Sequence, residues 1–189
     1  MNALISLHDR LFDTLEARIA PALMPTLARL VFAGTLLLYY WNSARTKLGE
    51  GVAGIFQPDF NAYAQILPRL SEAVGYDASQ LGTFWRLLVV AATWGEFVLP
   101  LLILIGLFTR LGALGMAGFV VAQSWVDIFG HGVTGADRGS WFDTASGGLI
   151  LDQRAFWVFL LLYLVVRGGG PLSLDAVLRA RMAPQLSAA

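Results

Sequence analysis

Four stretches of this chain are long and apolar enough to form helices that cross a membrane. A span requires about 20 mostly apolar residues at 1.5 Å rise per residue. The predicted spans are residues 26–44, 84–107, 110–129 and 153–167. Asp152 is placed to cap the short fourth span, and the glycines at 168–170 end it. The pattern predicts an all-α membrane protein, a four-transmembrane-helix bundle whose second and third helices form an antiparallel hairpin.

The N-terminal segment has a different pattern, that of an amphipathic helix. Its apolar stripe at helical spacing consists of Leu4, Leu7, Leu11, Leu15 and Ile19. We predict that residues 1–25 form an interfacial segment lying on the membrane, and that Pro21 and Pro25 separate it from the first span. A helix packed on a soluble partner is the alternative. Residues 26–182 then form a single membrane domain, and residues 183–189 a tail.

Two connections and one helical face carry further signals. The long loop 45–83 contains a partly amphipathic piece, Phe60 to Val74, interrupted by Pro68. Residues 130–148 are too polar for lipid but rich in glycine and aromatic side chains. The third span carries small residues three apart, which let helices approach closely inside lipid; they are Gly112, Gly115 and Gly118.

Composition supports the membrane assignment. Of 189 residues, 57% are apolar and 14% charged, against roughly 45–50% and about 25% in soluble domains. The 13 basic and 13 acidic side chains balance, so nothing indicates nucleic-acid binding. The arginines are slightly denser on the side of the two termini, so the positive-inside rule places both termini in the cytoplasm. We expect a multi-pass protein of the bacterial inner membrane.

Glu96 is the first anomaly, because it lies inside the second predicted span. A carboxyl group inside lipid must face other helices and usually marks a functional site, although a structural interhelical hydrogen bond is the alternative. Pro100 lacks an N–H group, so the carbonyl of Glu96 loses its helical hydrogen bond. The end of the first span offers donors, namely Tyr40, Asn42 and Lys47. An aromatic belt at the interface is the alternative explanation for the tyrosines there.

Asp127 and His131 form a second candidate site. They are one helical turn apart if the helix continues through Gly130, and could then act as a carboxylate-oriented imidazole that binds a proton, a quinone carbonyl or a metal. A helix-end cap is the alternative, and two ligands are too few to predict a metal site. The chain has 2 histidines and no cysteine, which disfavours haem and iron–sulfur clusters. Nothing indicates a covalently bound cofactor.

Several segments in order resemble the DoxX family of small bacterial membrane proteins. They are "YYWNSARTKLG" with Lys47 and Gly49 after a span with Arg29 near its start, Glu96 followed by "GLFTRLGAL" with Arg110, His131 with Gly132, and "GGGPLSLDAVL" with Gly170, Pro171, Ser173, Leu174 and Asp175. The resemblance extends from Leu27 to Leu178. It implies a four-helix membrane bundle, and it implies a link to membrane-tethered redox systems such as thiosulfate:quinone oxidoreductase.

The leading functional prediction is a membrane subunit that is not an autonomous enzyme. It would anchor a redox partner and offer a quinone-proximal polar pocket around Glu96, with candidate ligand or proton residues Tyr40, Asn42, Lys47, Asp127 and His131. The alternative is a non-catalytic scaffold, assembly or small-solute transport protein, in which Glu96 is structural or couples to a proton. Membrane lipid, a redox protein and a second copy of the chain are the expected partners.

Overall fold

A computed structural model describes residues 2–51 and 53–186, and every regular element in this part of the chain is helical. The α-helices are α1 (Asn2–Thr14), α2 (Ala20–Phe32), α3 (Leu38–Arg45), α4 (Phe60–Ile66), α5 (Pro68–Ala73), α6 (Thr83–Ile105), α7 (Thr109–Trp125), α8 (Gly135–Arg138), α9 (Arg154–Arg167) and α10 (Leu174–Leu186). Short π-helical turns join or extend them at Leu15–Ile19, Ala33–Leu37, Val126–Gly130 and Leu149–Gln153. Two 3-10 turns, Ala53–Ile55 and Ala78–Gln80, lie in the first loop.

Four helices of the described chain are long and apolar enough to cross a membrane, as predicted. They are Leu4–Arg45, Thr83–Ile105, Thr109–Gly130 and Leu149–Arg167. The second and third form the expected hairpin, because Gly106 ends α6 in the left-handed conformation (φ 70°) and α7 begins three residues later. The all-α four-helix bundle is therefore confirmed.

The predicted separation between the N-terminal helix and the first span is wrong. The chain runs from Leu4 to Arg45 as one helix of 42 residues. Pro21 lies in the first turn of α2, directly after the π-helical turn Leu15–Ile19. A proline inside a helix removes one backbone hydrogen bond, and the changed hydrogen-bond register at the preceding π-helical turn lets the helix continue through Pro21. Pro25 lies inside α2 without ending it. The apolar side chains of α1 are exposed in the structure, and its position on a membrane stays a prediction.

Two other predicted boundaries also move. The fourth span begins at Leu149, because the carboxylate of Asp152 accepts the N–H of Gly148 at 2.9 Å and stabilises an extra turn. Asp152 therefore caps the fourth span from a position inside its first turn, and not from the residue before the helix. At the C-terminus, α10 continues to Leu186 and includes the start of the predicted tail; residues 187–189 lie outside the described residues. The break at Pro68 is confirmed, because α4 ends at Ile66 and α5 begins at Pro68.

The bundle has one main core and one smaller cluster beneath the first loop. The main core contains Phe32, Leu36, Tyr40, Ile103, Met116, Val120, Leu161 and Leu164. The second cluster joins α4 to the first turns of α6 through Ala62, Tyr63, Leu81 and Val89. This second contact holds α4 against α6.

The predicted small-residue face of α7 is partly confirmed. A Cβ added at Gly112 would lie 3.3 Å from the Cβ of Leu102, and one at Gly115 would lie 3.1 Å from Cδ2 of Leu99. Both glycines therefore let α7 pack closely on α6. Gly118 has no atom within 4 Å of its added Cβ, so it takes no part in this packing.

Candidate functional site: two buried ion pairs and a carbonyl-bound arginine

Glu96 forms a buried ion pair with Lys47. The ammonium nitrogen of Lys47 lies 3.0 Å from Oε1 and 3.0 Å from Oε2 of Glu96, and the two side chains are 4% and 6% exposed. Lys47 also donates to Oγ of Ser43 at 2.7 Å and to the carbonyl of Ser43 at 3.2 Å. Removing two charges from water costs several kcal/mol per ion, and this cost is offset only when partners satisfy both groups. Here both groups have such partners.

Local chain geometry brings Lys47 to Glu96. The helix ends at Arg45, and the following turn is closed by a hydrogen bond from the N–H of Lys47 to the carbonyl of Ala44. The carbonyl of Lys47 accepts the N–H of Asp59, the cap of α4. Between Lys47 and Asp59 the backbone at Gly49 packs directly on the backbone at Gly54. An added Cβ on Gly49 would lie 2.3 Å from the carbonyl oxygen of Gln57. Only glycine fits this contact, and the contact fixes the backbone from which Lys47 extends.

Two tryptophans connect α6 to its neighbours around this pair. Trp41 of α3 donates its indole N–H to the carbonyl of Phe97 at 3.1 Å, and Trp94 donates to the carbonyl of Ile55 in the first loop at 3.0 Å. The sequence predicts that Pro100 frees the carbonyl of Glu96. The indole of Trp41 instead bonds the next carbonyl along α6. Pro100 itself is buried, and α6 continues through it.

The other two predicted donors, Tyr40 and Asn42, do not bind Glu96 in the structure. Tyr40 is fully buried and donates to Oε1 of Gln123 at 3.3 Å, while Nε2 of Gln123 donates to the hydroxyl of Tyr39 at 3.2 Å. Asn42 is exposed and takes no part in the Glu96 contacts.

Asp127 pairs with Arg154 and not with His131, so the predicted carboxylate–imidazole pair is wrong. Nη2 of Arg154 lies 2.7 Å from Oδ2 of Asp127, and Nη1 donates to Oγ of Ser124 at 3.2 Å. The imidazole of His131 instead contacts the carbonyl of Gln65 through Nε2 at 3.0 Å. The π-helical turn at Val126–Gly130 changes the register between 127 and 131, so the i, i+4 relationship of a regular helix does not hold there.

Arg154 is a residue that sequence reasoning missed. It is 3% exposed and bonds α9 to α7, yet its buried Nε atom has no hydrogen-bond partner in the described structure. Its guanidinium carbon lies 6.0 Å from the ring centre of Trp157. The sequence signal was present: Arg154 stands at the start of an apolar span, only two residues after Asp152.

Arg29 is the centre of a third polar cluster, which lies at the end of the bundle opposite to the Lys47–Glu96 pair. Its guanidinium donates to four carbonyl oxygens, those of Ile103 (2.9 Å), Leu104 (2.6 Å), Gly169 (3.0 Å) and Leu172 (2.6 Å). The first two belong to the C-terminal turn of α6, where unpaired carbonyls and the helix dipole favour a cation. Arg29 therefore ties the first span to α6 and to the chain after α9.

Asp175 completes this cluster by capping α7 from a distant helix. Its carboxylate accepts the N–H of Phe108 at 2.7 Å, and the N–H and hydroxyl of Thr109 at 2.9 and 2.7 Å. Partial burial raises the pKa of Asp175, but the hydrogen bonds from Thr109 and Phe108 outweigh this effect and hold the pKa below its usual range. Gly106 and Gly169 leave room for the cluster, since an added Cβ on either would lie under 3.0 Å from Ser173.

None of the six predicted pocket residues lines either of two cavities in the described part of the chain. One of about 450 Å³ lies beside the start of α6 and includes Phe56, Tyr63 and Arg86 in its walls. The other, of about 280 Å³, lies where α7, α9 and α10 meet. Among the described residues no group of three or more histidine, aspartate or glutamate side chains could hold a metal ion.

The four long apolar helices define an integral, multi-pass membrane protein. The DoxX family model matches residues 24–127, more than half of the chain, and the chain belongs to the DoxX family. The matched range includes Arg29, Lys47 and Glu96 but ends before His131 and the C-terminal segment. No curated protein and no solved structure matches the chain.

Proposed function

We propose that this protein is the membrane subunit of a redox system, anchoring a partner protein and presenting a quinone-proximal polar centre at Lys47 and Glu96. The proposal places it in the bacterial inner membrane with both termini in the cytoplasm. The observation that carries it is the burial of the Lys47–Glu96 ion pair against the second membrane-spanning helix, where the two side chains are 4% and 6% exposed. Intramembrane ionisable groups usually mark a site for a substrate, an ion or a proton.

The surroundings of the pair support a role in hydrogen bonding and proton transfer. A bound quinone would accept two electrons from the partner and two protons. Lys47 supplies a hydrogen-bond donor for a carbonyl oxygen, and Glu96 supplies a carboxylate that holds a proton. Trp94, two residues before Glu96, bonds the carbonyl of Ile55, and Phe56 next to it lines the 450 Å³ cavity. The first loop thus connects the wall of the cavity to α6 near Glu96.

A second candidate function, a non-catalytic scaffold or small-solute transport protein, is favoured by a different observation. Both carboxylate oxygens of Glu96 are already occupied by Lys47. The pair joins the first loop to α6, and the Asp127–Arg154 pair joins α7 to α9. Under this reading both pairs hold the bundle together, and no ligand interacts with Glu96.

A double substitution separates the two functions. Replacing both members of a buried ion pair by apolar residues is often neutral for stability, whereas removing one member leaves a buried charge. The purified Lys47→Met/Glu96→Leu variant is therefore expected to fold, and its folding is checked by circular dichroism and size-exclusion chromatography. Binding of decylubiquinone is followed by quenching of the fluorescence of the 6 tryptophans.

The proposed function requires saturable quenching by decylubiquinone in the native protein and at least tenfold weaker binding in the folded double variant. The exposed acid Glu50 lies in the same loop and provides the control, because Glu50→Gln should bind as the native protein does. If the native protein shows no saturable quenching, or the folded double variant binds equally well, the quinone-proximal centre is refuted and the scaffold function is favoured.

A further inference from the structure

The 280 Å³ cavity is a groove. It lies at the same end of the bundle as the Arg29 cluster. Its apolar wall is formed by Phe108 and Leu111 from the start of α7 and by Leu178 and Met182 from α10. Arg110 and Arg179 also line it, together with Thr109, Asp175 and the glycines at 168 and 169. Phe108 and Leu111 are 60% and 68% exposed. A groove with an apolar wall and two cationic side chains lies therefore at the ends of two membrane-spanning helices.

The two arginines of the groove have unused hydrogen-bonding capacity. Arg110 is exposed and forms no hydrogen bond or salt bridge in the described part of the chain. Arg179 uses Nε to donate to the backbone carbonyl of Asp175 at 3.2 Å. Neither arginine forms a salt bridge with a carboxylate of the residues described here.

Asp175 also lines the groove, and its charge opposes an anion. Its two oxygens, however, accept three hydrogen bonds from Phe108 and Thr109. The same bonds occupy the first N–H groups of α7, so the helix N-terminus is not available to bind an anion. Any anion in the groove must therefore be bound by the guanidinium groups of Arg110 and Arg179.

We propose that this groove binds an anionic phospholipid, with its phosphate between Arg110 and Arg179 and an acyl chain against Leu111, Leu178 and Met182. Guanidinium groups match phosphate oxygens in geometry and charge. The apolar wall beside them distinguishes a lipid from free phosphate, since a bare ion would leave the wall exposed to water. Basic pockets between membrane helices are typical sites for lipid head groups. The inference does not depend on the proposed redox function.

The test is native mass spectrometry of the full chain in detergent, with three probes added separately: phosphatidylglycerol, phosphatidylcholine and inorganic phosphate. We expect retained phosphatidylglycerol at concentrations where phosphatidylcholine and inorganic phosphate are not retained. The Arg110→Gln/Arg179→Gln variant is expected to bind phosphatidylglycerol more weakly, by about fivefold for each charge removed. The Arg110→Lys/Arg179→Lys variant keeps the charges and should keep the preference for the anionic lipid.

A matched control removes two exposed arginines from the loop end of the bundle. The Arg69→Gln/Arg138→Gln variant has the same net charge as the groove variant and should retain phosphatidylglycerol as the native protein does. Three results would overturn the proposal: equal retention of the two lipids, binding of inorganic phosphate alone, or equal losses in the groove and control variants. Quinone binding is measured separately, so its absence leaves this result unaffected.

Discussion

The ammonium of Lys47 lies 3.0 Å from both carboxylate oxygens of Glu96, although the two residues are 49 positions apart in the chain. One residue follows the first span and the other lies inside the second. Their contact fixes the start of the first loop against α6 within the bundle. The loop therefore belongs to the packed structure and positions one half of the candidate site.

Breaking the Lys47–Glu96 pair on one side should be far more damaging than replacing it entirely. Lys47→Met leaves Glu96 as an uncompensated buried charge, and we expect a loss of about 3–5 kcal/mol in the free energy of unfolding. The Lys47→Met/Glu96→Leu variant should recover most of this loss. Chemical or thermal unfolding in detergent, followed by circular dichroism, measures both. Equal losses in the single and double variants would show that Glu96 is not held by Lys47.

Arg29 should not tolerate replacement by lysine. Its three guanidinium nitrogens donate to four carbonyl oxygens in different directions, and a single ammonium cannot reach all of them. Each buried carbonyl left without a partner costs about 1–3 kcal/mol. We expect Arg29→Lys to lose about 3 kcal/mol of unfolding free energy, with the exposed Arg181→Lys as an unchanged control. A stable Arg29→Lys protein would contradict the importance of this cluster.

The glycines of α7 should differ in their tolerance of a large side chain. Gly115→Leu forces its Cβ to within 3.1 Å of Leu99 and should destabilise the bundle by about 1–3 kcal/mol. Gly118→Leu places its side chain in open space and should leave the melting temperature unchanged or raise it. Thermal unfolding of the two variants gives the comparison. A larger loss at position 118 than at position 115 would show that another surface packs against α7.

Stability should depend on Asp175 at low pH. Because its pKa is lower in the folded protein than in the unfolded chain, the folded state binds this proton more weakly. The carboxylate thus stabilises the fold above its ordinary pKa of about 3.9, and this contribution is lost as the pH falls through the lowered folded value. The melting temperature of the native protein should therefore exceed that of Asp175→Asn at pH 6, and the difference should shrink at pH 3. A difference independent of pH would exclude the carboxylate as its cause.

Much of the fold could be predicted from local pattern, because a helix in lipid must satisfy its own backbone and expose apolar side chains. This requirement located the four spans and the hairpin between α6 and α7. It did not locate the start of the first helix, because the effect of Pro21 depends on the π-helical turn before it. Another π-helical turn, Val126–Gly130, places His131 away from Asp127, and local pattern did not predict this turn.

The sequence by itself determined that Glu96 is anomalous and that Lys47 is among its possible partners. Only the tertiary structure decided that Lys47 is the partner, that Asn42 is exposed, and that Arg154 rather than His131 meets Asp127. The physical reason is that hydropathy reports the cost of burying a charge, which is a property of one segment. The partner that offsets that cost comes from a distant segment, and its identity depends on how the loops fold back onto the bundle.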